Sequence, residues 1–146
     1  MQRNRSIPSA TVIPVLTYPD VRAAVDWLEA AFGFSERVKI GEDHRSQMSA
    51  GDGGAVIVGD VRGERVAPRA GEVVQAVMLR VEDVELVSER ARANGARTVT
   101  GSQDFEYGER QCTLEDPWGH QWTLSQSLRD VAPAEWGGEA VDGGWS

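Results

Sequence analysis

Apolar and polar positions follow two rhythms along this chain, and the same succession of rhythms occurs twice. Val21, Ala24, Val25, Leu28 and Phe32 stand at i, i+3, i+4, i+7 and i+11, the spacing of one apolar helical stripe. Asp20 precedes the stripe, placed to accept the free amides of a first turn. Gly33 follows it, able to take the left-handed conformation that ends a helix. Ahead of this helix, Val12 to Leu16 is a short apolar run suited to a buried strand, with Pro14 placing one side at an edge or bulge. Behind it come strand candidates at Phe34 to Ile40, His44 to Ser49 and Ala55 to Gly59, with turns at Gly41 to Asp43 and Gly51 to Gly54.

The second half repeats this order. Val73 to Val81 is β-like, Asp83 is placed as a cap, Val84, Val87 and Ala91 form a stripe, and Gly95 ends it. Strand candidates follow at Ala96 to Thr100, Arg110 to Glu115 and Gln121 to Ser125. Asp-Val opens both helices, at 20–21 and 83–84. An internal duplication, each half reading strand, helix, three strands, accounts for this order better than chance recurrence of capped helices. It predicts an α+β chain with module one at about 11–62, module two at about 73–127, and a tail at 128–146. Asp60 to Glu72, rich in Gly and Arg, reads as the linker. In the tail, Trp136 and Trp145 either dock on the body or a partner, or the last residues from Gly143 are disordered.

Composition narrows the classes. The 146 residues carry a formal net charge of −8 and no basic stripe, which argues against nucleic acid as a partner. No apolar run approaches the roughly 20 residues of a membrane span, and Met1 to Ala10 lacks the apolar core of a secretory signal. The single cysteine, Cys112, excludes an internal disulfide and makes the cytoplasm the default expectation.

Ile13-Pro-Val-Leu-Thr-Tyr-Pro-Asp-Val, Ala30-Ala-Phe-Gly-Phe and Leu114-Glu-Asp-Pro-Trp-Gly-His, in that order, resemble the vicinal-oxygen-chelate superfamily of glyoxalases, bleomycin-resistance proteins and extradiol dioxygenases. The resemblance covers about residues 11 to 127. It implies two βαβββ modules whose sheets form an open U-shaped cavity, in a chain that assembles as a homodimer. It also implies where enzymes of the family hold their metal: on the first and last strand of each module. Those positions map onto Ile13, Val58, Ala76 and Thr123. None is a His or a carboxylate, and a lone threonine hydroxyl is a poor donor for a divalent transition metal. No cofactor or metal is expected, and the metal-dependent lyase, isomerase and dioxygenase chemistries are in doubt.

Alternation outward from those positions predicts the cavity lining. Ile13, Val15 and Thr17 face it from the first strand, and Ala76, Met78 and Arg80 from its counterpart. Val56 and Val58, then Gln121, Thr123 and Ser125, face it from the last strands. Neighbouring strands add Arg45, Gln47, Gln111 and Thr113. A one-residue slip would turn any of these outward. An apolar floor with neutral hydrogen-bonding groups and one or two arginines suits a small organic ligand. Arg80 needs either an internal carboxylate or an anionic ligand. The segment Gly101 to Glu109, with three acids and two aromatics, is either a cavity lip for a cationic ring or a solvated hairpin. The sign of the ligand's charge stays open. His44 and His120 have no nucleophile beside them in sequence, and Cys112 reads as a small packed apolar group.

The leading expectation is a metal-independent binding protein that, like the bleomycin-resistance members, sequesters an antibiotic or other small organic compound. The alternative is a glyoxalase-like lyase or isomerase, or a dioxygenase, with a relocated metal site or metal-free acid–base chemistry. A third reading makes the chain an interaction module docking through its tail.

Overall fold

A computed structural model describes residues 2–141. Trp145 and the residues from Gly143 onward lie outside the described residues. Module one consists of β1 (Val15–Thr17), α1 (Val21–Phe32), β2 (Ser35–Ile40), β3 (Arg45–Ala50) and β4 (Gly54–Gly59). Module two consists of β5 (Ala76–Arg80), α2 (Val84–Ala93), β6 (Arg97–Asp104), β7 (Glu109–Glu115) and β8 (Gln121–Ser127). Each forms a four-stranded sheet, ordered β1-β4-β3-β2 and β5-β8-β7-β6. The first strand of each module pairs in parallel with the last, while the other pairs are antiparallel. This is an α+β fold of two βαβββ modules.

The helices form where the stripes and caps place them. Asp20 Oδ1 accepts from the Ala23 amide at 3.0 Å, and Asp83 Oδ1 from the Leu86 amide at 3.1 Å. Gly33, at φ 72°, ends α1. In α2 the buried stripe is Val84, Ser88 and Ala91, with Ser88 Oγ turned back onto the Glu85 carbonyl and Val87 only partly buried. β6 runs four residues past its expected end. Register shifts at Thr98–Thr100 and Thr100–Gln103 absorb Gly101 within the strand, and Arg110 closes the hairpin with two bonds to Asp104, at 2.6 and 3.1 Å. The expected lip at 101–109 thus contracts to the turn around Phe105–Gly108.

The modules meet through their helical sides. Trp122, fully buried on β8, packs edge-on against Phe32 and Phe34 of module one, with ring centroids 5.1 and 5.9 Å away. Trp27 of α1 donates its indole N–H to the Asn94 carbonyl at the end of α2. Each such aromatic contact adds roughly 0.5–1.5 kcal/mol beyond the apolar area it buries. With helices and helix-facing residues forming one shared core, the opposite face of each sheet turns away from the other module.

Candidate functional site

The outward faces carry most of the residues singled out from sequence. In module two, parallel pairing sets Ala76 beside Gln121, Met78 beside Thr123 and Arg80 beside Ser125. Antiparallel pairing continues these rows to Thr113 and Gln111 on β7. One face therefore holds Ala76, Met78, Arg80, Gln111, Thr113, Gln121 and Thr123, as alternation predicts. It is open: Met78 is 63% exposed. Thr113 Oγ1 and Thr123 Oγ1 share a hydrogen bond of 2.9 Å, and Gln111 Nε2 donates to Ser125 Oγ at 3.0 Å. Ser125 Oγ donates in turn to Glu109 Oε1 at 2.8 Å, and the Tyr107 hydroxyl to Gln111 Oε1 at 3.0 Å. This chain of bonds fixes the side chains of the face.

In module one the face is only partly the expected one. Val15 stands beside Ile57, and Leu16 beside Val58. Val15 is 47% exposed on the outward face, whereas Val56 and Val58 are buried in the shared core. The expected position Val58 is therefore corrected by one residue, and Ile57 is the counterpart of Thr123. Thr17 and Arg45 lie on the outward side by Gly59, where the Arg45 guanidinium is 3.6 Å from the position a Cβ would take. Gln47, 4% exposed, donates to the Ser6 carbonyl at 2.8 Å and accepts from Arg37 Nη1 at 2.5 Å. Arg37 also donates to the Arg5 carbonyl. Ile13 precedes β1 and lines a recess beside this arm, with Arg37 and Ile7. The N-terminal arm thus covers the module-one face at Gln47 and leaves Val15 exposed, a feature no periodicity in its sequence announced.

Two recesses adjoin β5. One of about 440 Å³ is lined by Met78, Arg80, Glu109, Gln111 and Ser125. A larger one, about 870 Å³, opens between the modules and is lined by Val12, Pro14, Phe34 and Trp122, among others. Both include Met78 and Arg80, so these two side chains of the edge strand border both recesses. Arg80 Nη1 donates to Ser127 Oγ at 2.8 Å, and among the described residues no carboxylate pairs with it. Of the two open readings of Arg80, the internal ion pair is therefore absent among the described residues.

The remaining candidates are structural in their contacts. His120 Nε2 lies 2.8 Å from the Thr17 carbonyl and its ring 4.5 Å from that of Tyr18, while His44 Nδ1 is 3.1 Å from Asp60 Oδ1. Cys112 is buried, which pushes its thiol above the ordinary range. Trp136 docks on the body, its ring 5.3 Å from that of Tyr107, which stacks on Phe105 at 5.1 Å.

The metal positions fail on their chemistry. With Val58 replaced by Ile57, the set is Ile13, Ile57, Ala76 and Thr123, three hydrocarbon side chains and one hydroxyl. Among the described residues no group of three or more His, Cys, Asp or Glu is placed to hold an ion. These residues do not fit the metal centre of the family's enzymes.

Comparison with known proteins places this geometry. Residues 10–124 match the profile described as Glyoxalase/Bleomycin resistance protein/Dioxygenase superfamily. An uncharacterised protein of Mycobacterium tuberculosis is 31% identical over 127 residues, spanning 81% of this chain and 75% of that protein. The crystal structure of TioX from Micromonospora sp. ML1 superposes with a TM-score of 0.66 at 31% identity, covering 82% of this chain and all of TioX. Lactoylglutathione lyase from Agrobacterium tumefaciens shares the fold at a TM-score of 0.59 and 19% identity, covering 82% of this chain and 94% of the lyase. The chain belongs to the Glyoxalase/Bleomycin resistance protein/Dioxygenase superfamily.

Proposed function

We propose that this protein binds a small organic molecule on the outward face of module two and retains it without metal and without converting it. The observation that carries this reading is the character of that face. Exposed Met78 stands among Arg80, Gln111, Thr113 and Thr123, next to a mostly apolar recess between the modules. A concave surface mostly apolar, with a few fixed polar groups, is the ordinary makeup of a small-molecule site. The four positions where the family's enzymes carry ligands offer no donor set that could polarise an oxygen or activate water. Sequestration of an antibiotic or another small organic compound follows as the role such a surface can serve.

The two outward faces point away from each other within one chain, so a second copy is the partner that would close the cavity. Its module-one face, with Val15 and Ile57, would lie over Met78 and Arg80. Val15 and Met78 are the exposed apolar side chains such a contact would cover. No helix among the described residues is long and apolar enough to cross a membrane. The buried lone thiol fits a reducing compartment, and the cytoplasm is proposed on that ground.

The test is a calorimetric titration against a panel of cationic, neutral and anionic aromatic compounds, antibiotics included, with and without chelator. Product analysis and sedimentation equilibrium run alongside. Saturable binding by a dimer, unchanged by chelator and without product, is the expected result. Chelator-sensitive turnover would put a relocated metal site and an enzyme in its place.

A further inference from the structure

Arg80, exposed on the edge strand β5, borders two recesses. On one side lie Val12, Pro14, Phe34 and Trp122, in a mostly apolar cleft of about 870 Å³ whose lining also holds Asp52 and Glu82. On the other lie Glu109, Gln111 and Ser125, beside Met78, in a recess of about 440 Å³. Among the described residues its one side-chain hydrogen bond goes to the neutral Ser127 hydroxyl. The guanidinium has five N–H donors in a planar fork, so four remain for another partner. The acids of the neighbouring hairpin are engaged elsewhere. Asp104 is held by two bonds from Arg110, and Glu115 by Arg97. Glu109 accepts from Ser125 and lines the same recess as Arg80 without pairing with it.

We propose that Arg80 anchors an acidic oxygen group, and that the ligand class is therefore an amphipathic organic acid, with an apolar ring body and one carboxylate- or sulfonate-like group. The inference rests on the reading of this face as a ligand site and adds the chemistry it selects. The ring body occupies the cleft beside Phe34 and Trp122, and the acid lies on the Arg80 fork. Glu109 would repel a second acid, so the atom next to the acidic group carries an N–H or O–H that the carboxylate can accept. Among the described residues Arg80 is the one basic side chain lining either recess, against the acids Asp52, Glu82 and Glu109, so a single anionic group has one seat, on the Arg80 fork.

Two dyes separate this from binding by apolar contact alone. 8-Anilinonaphthalene-1-sulfonate carries an anilino N–H beside a sulfonate, and N-phenyl-1-naphthylamine is the same framework without the sulfonate. Fluorescence titrations of the full-length wild type, Arg80→Met and Arg80→Lys, each checked for native circular dichroism, give the result. Arg80→Met is expected to weaken the sulfonate dye roughly tenfold or more and the neutral dye by less than about twofold, as loss of a charge-assisted bond requires. Arg80→Lys, a charge without the fork, falls between. Equal losses for both dyes, or no loss for the sulfonate dye, overturn the proposal. If neither dye binds the wild type, the ligand-site reading itself fails, and the role of Arg80 falls with it.

Discussion

The Tyr18 hydroxyl donates to Asp116 Oδ2 at 2.7 Å, joining the end of β1 to the last hairpin of module two across 98 residues. Asp116 is buried, with Trp122 Nε1 3.2 Å from the same oxygen and the amides of Trp118 and His120 on the other. Tyr18→Phe keeps the ring against Trp118 and His120 and leaves this carboxylate one donor short. We expect a loss of roughly 1–3 kcal/mol of unfolding free energy in urea, the cost of an incompletely satisfied buried charge. Burial, then the Asp116 charge, pushes the Tyr18 phenol well above its usual value of 10.0. A raised value means the folded state holds the proton more tightly, so this stabilisation is complete below pH 10 and declines as pH rises beyond it. The alkaline decline should be shallower in Tyr18→Phe than in the wild type.

Glu36 gives the opposite pH signature. Two bonds from Arg22, at 2.6 and 2.8 Å, are the main cause holding its carboxyl at about 2; Ser46 Oγ adds a third bond, and partial burial works against the shift. A depressed value contributes stability above the ordinary carboxylate range, lost as pH falls from about 4.5 toward 2. Glu36→Gln should cost about 1 kcal/mol at pH 7, since solvent screens the partly exposed arginine. The gap between mutant and wild type should close near pH 2, read by urea denaturation at several pH values.

Where the chain was legible, the information was local. Asp20 and Asp83 cap their helices because the bond reaches only three residues ahead. β8 alternates strictly, Gln-Trp-Thr-Leu-Ser, and its outward set of Gln121, Thr123 and Ser125 could be read from period alone. β4 reads Ala-Val-Ile-Val after its glycine, apolar on both faces, so periodicity held no information on which face Val58 takes. The slip from Ile57 to Val58 follows from that. The arm over Gln47 and the pairing of Tyr18 with Asp116 depend on contacts between distant segments, and nothing in either segment's own pattern signals them. Glu109 and Arg80 come to one recess only because β5 and β7 flank β8.

The donor-poor set of Ile13, Ile57, Ala76 and Thr123 gives a prediction independent of ligand identity. Protein incubated with zinc, nickel or ferrous iron and then desalted should retain far less than one equivalent by elemental analysis. Ligand affinity should be the same in the presence of chelator. A full equivalent of retained metal would mean that donors assemble elsewhere, for example across two chains, and would bring metal-assisted chemistry back.

Gly108 ties the tail to the site. It sits at φ 90° in the turn after Tyr107, and a Cβ there would lie 2.5 Å from the Arg129 carbonyl oxygen and 3.0 Å from Val131 Cγ2. The close approach lets Leu128 donate its amide to the Gly108 carbonyl at 2.8 Å, which leads the following chain back to set Trp136 against Tyr107. Gly108→Ala meets both a backbone clash and an unfavourable left-handed conformation. We expect a loss of roughly 1–3 kcal/mol in stability. We also expect increased quenching of Trp136 fluorescence by iodide, measured against a Trp136→Phe control. Because the Tyr107 hydroxyl holds Gln111 in the Arg80 recess, the same substitution should weaken binding of the sulfonate dye. Trp136→Ala should do so less, since it leaves the Gly108 turn intact. Equal dye affinity in Gly108→Ala and wild type would mean that the tail and its aromatic stack serve stability alone.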